Sequence, residues 1–573
     1  MLKSWVVDTI NVYLRGLKLF CMKRIVLLFM CVSVVAWAAG KGSDAMFAYS
    51  QNLDVFASVL KNLNTYYVDT LDVDKTTQKG ISAMLSQLDP YTVYFTEEEA
   101  KQFEEQSMGE YAGVGCTIVQ RDSAVYISEP FEGTPAHEVG LRAGDKIVMI
   151  DNDTVLGWKS DAVSSRMRGL PNTSLRMTLQ RPGVEAPFEV SLTRRIIQRN
   201  PVLYYGVVAD SVGYILLETF SKNAADEVRR AFVDLKENSH ITSLVLDLRD
   251  NGGGLVSEAV DIIGMFVPRG SRVLESKGRI SSSNHVYKTN AEPIDTEMPL
   301  AVLINGYSAS ASEVVSGALQ DLDRAVVLGE RSFGKGLIQQ VFPLPYNRQL
   351  KVTVSYYYTP TGRSIQAIDY SRRDDAGRAV RVPDSLTNEY RTPRGRIVRD
   401  GGGITPDIVV KSDTMSHLHY YLFAGHHLFD FATEYALKHD TIAQPHDFCL
   451  TDADYEAFKS FVEQRNFKYD KMSSSQLKNL REMMTFEGYV DEATTQLLDS
   501  LERTLQHNVS KDLDTFRKEI EMSLMQEIAK RYYFQRGGII VGLRDEPVTL
   551  AAVEVLRSPQ RYAELLAIPR RKK

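Results

Sequence analysis

Between about Gln198 and Val410, short apolar runs alternate with stretches of helical spacing, and this alternation restricts the chain more than any other feature. Ser243 to Leu248 precedes Ser257 to Phe266, and Leu300 to Ile304 precedes Ala311 to Leu319. A run such as Ala301-Val302-Leu303-Ile304 has no polar face, so it reads as a buried strand. The residues that follow carry the three- and four-residue steps of a helix. An α/β region is expected here, with the links between strand and helix as places where reactive side chains can emerge.

The flanks read differently. From Asp44 to about Thr92, Phe56, Val59, Leu60 and Leu63, then Ile81, Met84, Leu85 and Leu88, predict two helices, the second stopped by Leu88-Asp89-Pro90-Tyr91. Between Phe95 and Arg195 the pattern becomes short alternating strands, such as Ala124 to Ile127, Lys146 to Ile150 and Leu175 to Leu179, separated by glycine turns. Beyond Ser412 the chain is strongly helical. An arginine-rich insert, Ala367 to Arg399, reads as an exposed mobile loop. The 573 residues therefore divide into a helical region 44–93, a β-rich domain 95–195, an α/β domain 198–411 and a mainly helical extension 412–573.

Ahead of these, Met22-Lys23-Arg24 precedes an apolar run from Ile25 to Ala39, with small residues at Ala36 and Ala38. Residues 22–39 are expected to be a signal peptide, since the run is shorter than the ~20 residues a membrane span needs. Export to a bacterial envelope, most simply the periplasm, follows, with an uncleaved inner-membrane anchor as the alternative. Removal of that segment leaves only Cys116 and Cys449, so no disulfide framework is implied. A net charge of -6 argues against nucleic acid as a main partner.

The strand Ala301–Ile304 opens through Asn305-Gly306-Tyr307-Ser308 into Ala309-Ser310-Ala311-Ser312-Glu313, which places three serines at a strand-to-helix turn. Taken alone, Ser310-Ala311-Ser312-Glu313 is a capping box. The same position also suits a nucleophile, because a helix N-terminus offers N–H groups to negative charge. The chain further carries Asp247-Leu248-Arg249-Asp250-Asn251-Gly252-Gly253-Gly254, Gly334-Lys335-Gly336-Leu337-Ile338-Gln339-Gln340 and Tyr357-Tyr358-Thr359-Pro360-Thr361-Gly362-Arg363-Ser364-Ile365-Gln366. Between Gln198 and Val410 the only histidines are His240 and His285, neither in these motifs, which argues against a Ser-His-Asp triad. His417, His419, His426 and His427 lack a convincing zinc spacing and read as packing or surface residues.

Together these motifs, through Gly403-Ile404-Thr405-Pro406-Asp407, resemble the carboxyl-terminal processing, or tail-specific, proteases. The resemblance implies a crotonase-like α/β protease core in which Ser310 is the nucleophile, Lys335 the general base and Gln339 the third member. It puts oxyanion donors at the amide of Ala311 and in the Gly252–Gly254 loop, with Gly253 chosen, and an acidic position of some relatives at Asp321, where a structural role is equally open. If the segment is extended, Lys335 and Gln339 share one side. A basic lysine needs its pKa depressed from about 10.4 by burial. No metal or cofactor is implied.

Tyr111-Ala112-Gly113-Val114-Gly115-Cys116-Thr117-Ile118, followed by Gly140-Leu141-Arg142-Ala143-Gly144-Asp145-Lys146-Ile147, resembles a PDZ domain. That likeness implies capture of a peptide's terminal carboxylate by the loop Tyr111, Gly113, Val114 and Gly115, with strand addition alongside. Val163 and Met167 would line a pocket for the last side chain. The expected partners are protein or peptide substrates with free C-termini, and a homo-oligomer remains open. A binding scaffold without activity and a hydrolase of small esters are the alternatives.

Overall fold

The computed structural model describes residues 46–411, 415–469, 472–505 and 508–567; the expected signal segment 22–39 lies outside them. The chain divides into a unit ending at Tyr94 and another from Phe95 onward. In the first, residues 46–66 are helical, and a second helix, Val73–Leu85, starts where the Asp72 carboxylate accepts the Lys75 N–H at 2.9 Å. This helix ends before Pro90, whose neighbour Asp89 instead accepts the N–H groups of Tyr91 and Thr92.

In the second unit a six-stranded antiparallel sheet begins with Cys116–Arg121 at one edge, followed in space by Ala124–Pro130, Lys146–Ile150, Ser174–Gln180 and Phe188–Thr193. Its inward residues Leu175, Met177 and Leu179 alternate along one strand and close a core with Val125, Ile127, Ile147 and Val163. The helix Ser160–Met167 lies beside the edge strand, which keeps one side unpaired among the described residues.

The α/β region is built on a second six-stranded sheet in the order Val202–Ala209, Val212–Leu217, Ser243–Asp247, Leu300–Ile304, Val326–Gly329 and Ile408–Val409. Only the first pair is antiparallel. Leu300, Val302 and Ile304 face the helices Ala224–Glu237, Val256–Gly264 and Ala311–Asp321 on one side. Ala301 and Leu303 face the other side, where they meet Ile540, Val548, Ala552, Val553 and Leu556. The absence of a polar face thus has a direct cause: both sides of this sheet are covered.

That second cover comes from the far end of the chain. The helices His417–Ala424, His427–Lys438 and Asp452–Gln464 form a core of their own with Leu524 and Ile528. The helix Arg517–Leu543 then kinks at Tyr533 and Phe534, the latter at φ 54°, ψ -164°, and its remainder returns to the α/β sheet with Pro547–Leu556 and Pro559–Leu565. At the kink Phe534 packs edge-on against His137 of the β-rich domain, and Arg121 of that domain pairs with Asp430 at 2.6 Å. The extension beyond 412 is therefore partly a separate bundle and partly the second layer of the α/β sandwich. No helix among the described residues is long and apolar enough to cross a membrane.

The arginine-rich insert differs from the expected loop. It forms the hairpins Ile368–Arg373/Ala379–Arg381 and Glu389–Arg391/Ile397–Arg399. The Arg396 side chain, 9% exposed, pairs with Asp323 and Asp407 at 2.7 and 2.8 Å, so its charge is balanced and the segment is pinned to the core.

Because Leu556 fills the sheet's second face, Leu556→Ala is expected to destabilise the α/β domain by roughly 2–5 kcal/mol in chemical denaturation. An independent tail would leave that transition where it is.

Candidate active site

The chain leaves the strand Leu300–Ile304 through a turn that must reverse into the helix Ala311–Asp321 within a few residues. Ser310 takes φ 57°, ψ -113°, a conformation that costs a non-glycine residue of order 1–3 kcal/mol. Its neighbours hold it there. Ser308 Oγ donates to the Leu248 carbonyl at 2.7 Å, Ser312 Oγ to the Asn251 carbonyl at 2.8 Å, and the Ala309 N–H to the same Asn251 carbonyl at 3.0 Å. Ser308 and Ser312 are fully buried with their hydroxyls engaged in structure, whereas Ser310 is half-buried. Burial thus separates the three serines that the sequence sets side by side.

Glu313, completely buried, does more than cap this helix. Its Oε2 accepts the N–H of Ser310 at 2.9 Å and that of Lys335 at 2.8 Å. Its Oε1 accepts the Gly334 N–H at 2.7 Å and the Ser332 hydroxyl at 2.5 Å. One carboxylate therefore binds the serine turn to the glycine-lysine loop through the backbone of each. Burial pushes its carboxyl up, and the four donors act in the opposite direction.

The loop Gly334-Lys335-Gly336 is held from its other side by Gln366, whose Oε1 accepts the Gly336 N–H at 2.7 Å. Gly334 has φ 91°, and a side chain there would strike Ala367 Cβ at 2.4 Å. Lys335 is half-buried. The alternation expected for Lys335 and Gln339 requires an extended segment, but the strand starts only at Leu337, so Lys335 lies in the loop that precedes it. Gln339 donates its amide to Thr353 Oγ1 at 3.2 Å on the paired strand.

Gly253, at φ 99°, lies directly against the serine turn. An added Cβ would stand 2.8 Å from Ser310 Cβ and 2.9 Å from the Ala311 nitrogen. The expectation that its N–H is an oxyanion donor meets a competitor, since that N–H goes to Asn251 Oδ1 at 2.9 Å in an Asx turn. The Ala311 N–H, first in its helix, has no acceptor among the described residues.

Asp321 stands at the opposite end of an 11-residue helix, about 16 Å from Ser310. There it pairs with buried Arg363 at 2.7 Å and accepts Thr361 Oγ1 at 2.6 Å. It ties the segment Tyr357–Gln366 to this helix instead of meeting the serine. His419 is likewise accounted for by Glu519, 2.7 Å away, and His417 and His427 pack on Tyr421 and Phe467.

In the β-rich domain a small groove of about 50 Å³ is lined by Tyr111, Gly113, Val114, Gly115, Cys116, Ile118, Ser164, Met167 and Arg168. Val163 is not among them: it points into the core, because residues 164, 167 and 168 share the helix face toward the groove. The carbonyls of Val114 and Gly115 are held by the N–H groups of Ala136 and Phe131 and by Thr134 Oγ1. Gly115, φ 83°, has no room for a side chain against Thr134. Arg168, which sequence spacing did not single out, lies 4.7 Å over the Tyr111 ring and pairs with Glu105. Burial pushes the Cys116 thiol and, first among several causes, the Tyr111 hydroxyl up to about 12.

Three family models match this chain: peptidase family S41 over residues 211–371, a PDZ domain over 126–181, and the C-terminal helical domain of a probable PDZ-protease over 418–556. The carboxy-terminal-processing protease of Bartonella bacilliformis is 33% identical over 343 residues, 59% of this chain and 78% of that one. The carboxyl-terminal-processing protease of a Synechocystis species is 37% identical over 298 residues, 51% of this chain and 69% of that one. Among solved structures, the photosystem II D1 C-terminal processing protease is 29% identical, covering 61% of this chain and 85% of its own at a TM-score of 0.33. Conserved length and identity together settle the family: this chain belongs to the carboxyl-terminal processing serine proteases of peptidase family S41 and carries a PDZ domain and a helical C-terminal domain.

Proposed function

We propose that the chain is an exported endopeptidase that captures a substrate's free C-terminus in its PDZ groove and cuts a peptide bond with Ser310 and Lys335. The observation that carries this reading is the Glu313 carboxylate, which accepts both the Ser310 and the Lys335 backbone N–H. Two motifs separated in sequence are thereby held in one small region. Export rests on the basic Lys23-Arg24 and the apolar run that follows.

In the proposed reaction Ser310 Oγ attacks the substrate carbonyl as its proton passes to the neutral Lys335 amine. The carbonyl oxygen gains negative charge in front of the Ala311 N–H, which a helix N-terminus leaves unpaired. Collapse breaks the peptide bond, and the Lys335 ammonium returns the proton to the departing amine. Water then attacks the acyl-enzyme, giving its proton to Lys335, and Ser310 regains a proton as the acid leaves. Gln339 orients the lysine in this scheme. A bound peptide would complete the desolvation of half-buried Lys335 and favour its neutral form.

The PDZ groove supplies the capture step. Its edge strand, Cys116–Arg121, is available for an added peptide strand, with the backbone of residues 113–116 around the terminal carboxylate and Met167 at the last side chain.

Ser310→Ala and Lys335→Ala are each expected to lower kcat by about 10⁴-fold or more on a tailed protein while melting like the parent; full activity in either variant would remove the dyad. Gly253→Ala should cost about 10²-fold in kcat, because its methyl would occupy the space before the Ala311 N–H. Amidating a peptide's C-terminus removes a charged acceptor, so its Kd should rise roughly tenfold or more in fluorescence titration; unchanged affinity would show that the carboxylate is not read.

A further inference from the structure

We infer that Glu546, from the C-terminal extension, is a positioning residue for the reaction at Ser310, acting through Arg249 on the loop of residues 247–254. This rests on the reading above that the loop and Ser310 form the reaction site.

The loop is clamped on two sides. Toward Ser310, the Asn251 carbonyl accepts Ala309 N–H and Ser312 Oγ, and the Asp250 N–H donates to Asn305 Oδ1 at 3.0 Å. Away from it, the Arg249 side chain is 14% exposed and makes a fork onto Asp247, with Nη2 2.5 Å and Nε 3.0 Å from Oδ2. Tyr214 donates its hydroxyl to the same carboxylate at 2.5 Å. The remaining guanidinium nitrogen, Nη1, reaches Glu546 Oε1 at 2.7 Å.

Glu546 is itself rigid. It begins the helix Pro547–Leu556, accepting the N–H groups of Val548 and Thr549 at 3.2 and 2.7 Å and Thr549 Oγ1 at 2.7 Å. The apolar face of that helix is buried on the protease sheet. Burial alone would raise the Glu546 carboxyl; the charge of Arg249 and the Thr549 donors outweigh it and hold the group below its usual range. Arg249 therefore spans an acid at the end of the preceding strand and an acid at the start of a packed helix. Asp250, which follows it at φ 61°, starts the turn that brings Gly253 so near the serine turn that a Cβ on it would stand 2.9 Å from the Ala311 nitrogen. Without Glu546 one end of the guanidinium is unanchored, and the turn gains freedom at the point where fractions of an ångström decide the fit of an oxyanion.

The test compares full-length parent with Glu546→Gln, which keeps oxygen acceptance at the helix start and removes the charge. Both a tailed peptide and a small activated ester are used, since the ester needs the reaction site and not PDZ capture. The expected result is a kcat loss of about tenfold or more on both, with KM within about twofold and little change in Tm. Ser558→Ala, which weakens the cap of the next helix and touches nothing near Arg249, should leave kcat unchanged. Arg249→Lys offers a second route: a lysine cannot fork between Asp247 and Glu546, so kcat should fall similarly and adding Glu546→Gln should cost nothing further. Parental kcat in folded Glu546→Gln, or independent losses in the double variant, would overturn the inference. If Ser310→Ala retains activity, it is the site assignment that fails instead.

Discussion

The buried Glu313 carboxylate holds the serine turn and the glycine-lysine loop together. Glu313 is satisfied by N–H and O–H donors from two loops, and each donor would be an unpaired buried group if the carboxylate were lost. The strained turn at Ser310 and the positive-φ glycine at 334 are both over-determined by these bonds. The strain is local, and its compensation is supplied by a segment distant in sequence. Such an arrangement fixes the backbones of Ser310 and Lys335 relative to each other.

Outward from that point, each remaining motif serves the same geometry. Asp321 and Arg363 form a buried pair with added hydroxyl donors, which fastens the segment leading to Gln366; Gln366 in turn supports the glycine-lysine loop. The Ser332 N–H donates to the Ile404 carbonyl and the Ser332 hydroxyl oxygen accepts the Ile404 N–H, bringing the Ile-Thr-Pro-Asp motif against that loop. Residues that resemble catalytic groups by type, Asp321 above all, act as struts. Buried ion pairs of this kind add little net stability, but removing one partner strands the other, which makes the arrangement specific.

The C-terminal extension enters the protease rather than following it. Its last helices cover the sheet face that carries Ala301 and Leu303, and the bundle before them touches the PDZ domain through Asp430 and Phe534. The helix Arg517–Leu543 therefore belongs to both, with its irregular backbone at the junction. The PDZ domain and the protease domain are joined through this element as well as through the chain between them.

Much of the site was readable because its signals are local. Alternating apolar runs report strands, a serine-rich turn before a helical repeat reports a strand-to-helix link, and glycines at 253 and 334 mark backbone that no side chain permits. The misjudged details depended on contacts that spacing does not encode. Val163 turned inward, Lys335 fell in the loop before the strand that carries Gln339, Asn251 claimed the Gly253 N–H, and an arginine-rich segment became hairpins pinned where Arg396 meets Asp323 and Asp407. By itself the sequence determined the element types, the order of domains and the family, since periodicity and short motifs are written along the chain. Tertiary structure alone decided which serine stands half-open, which carboxylate joins the two loops and what covers the second face of the sheet, because burial and hydrogen-bond partners exist only once distant segments meet.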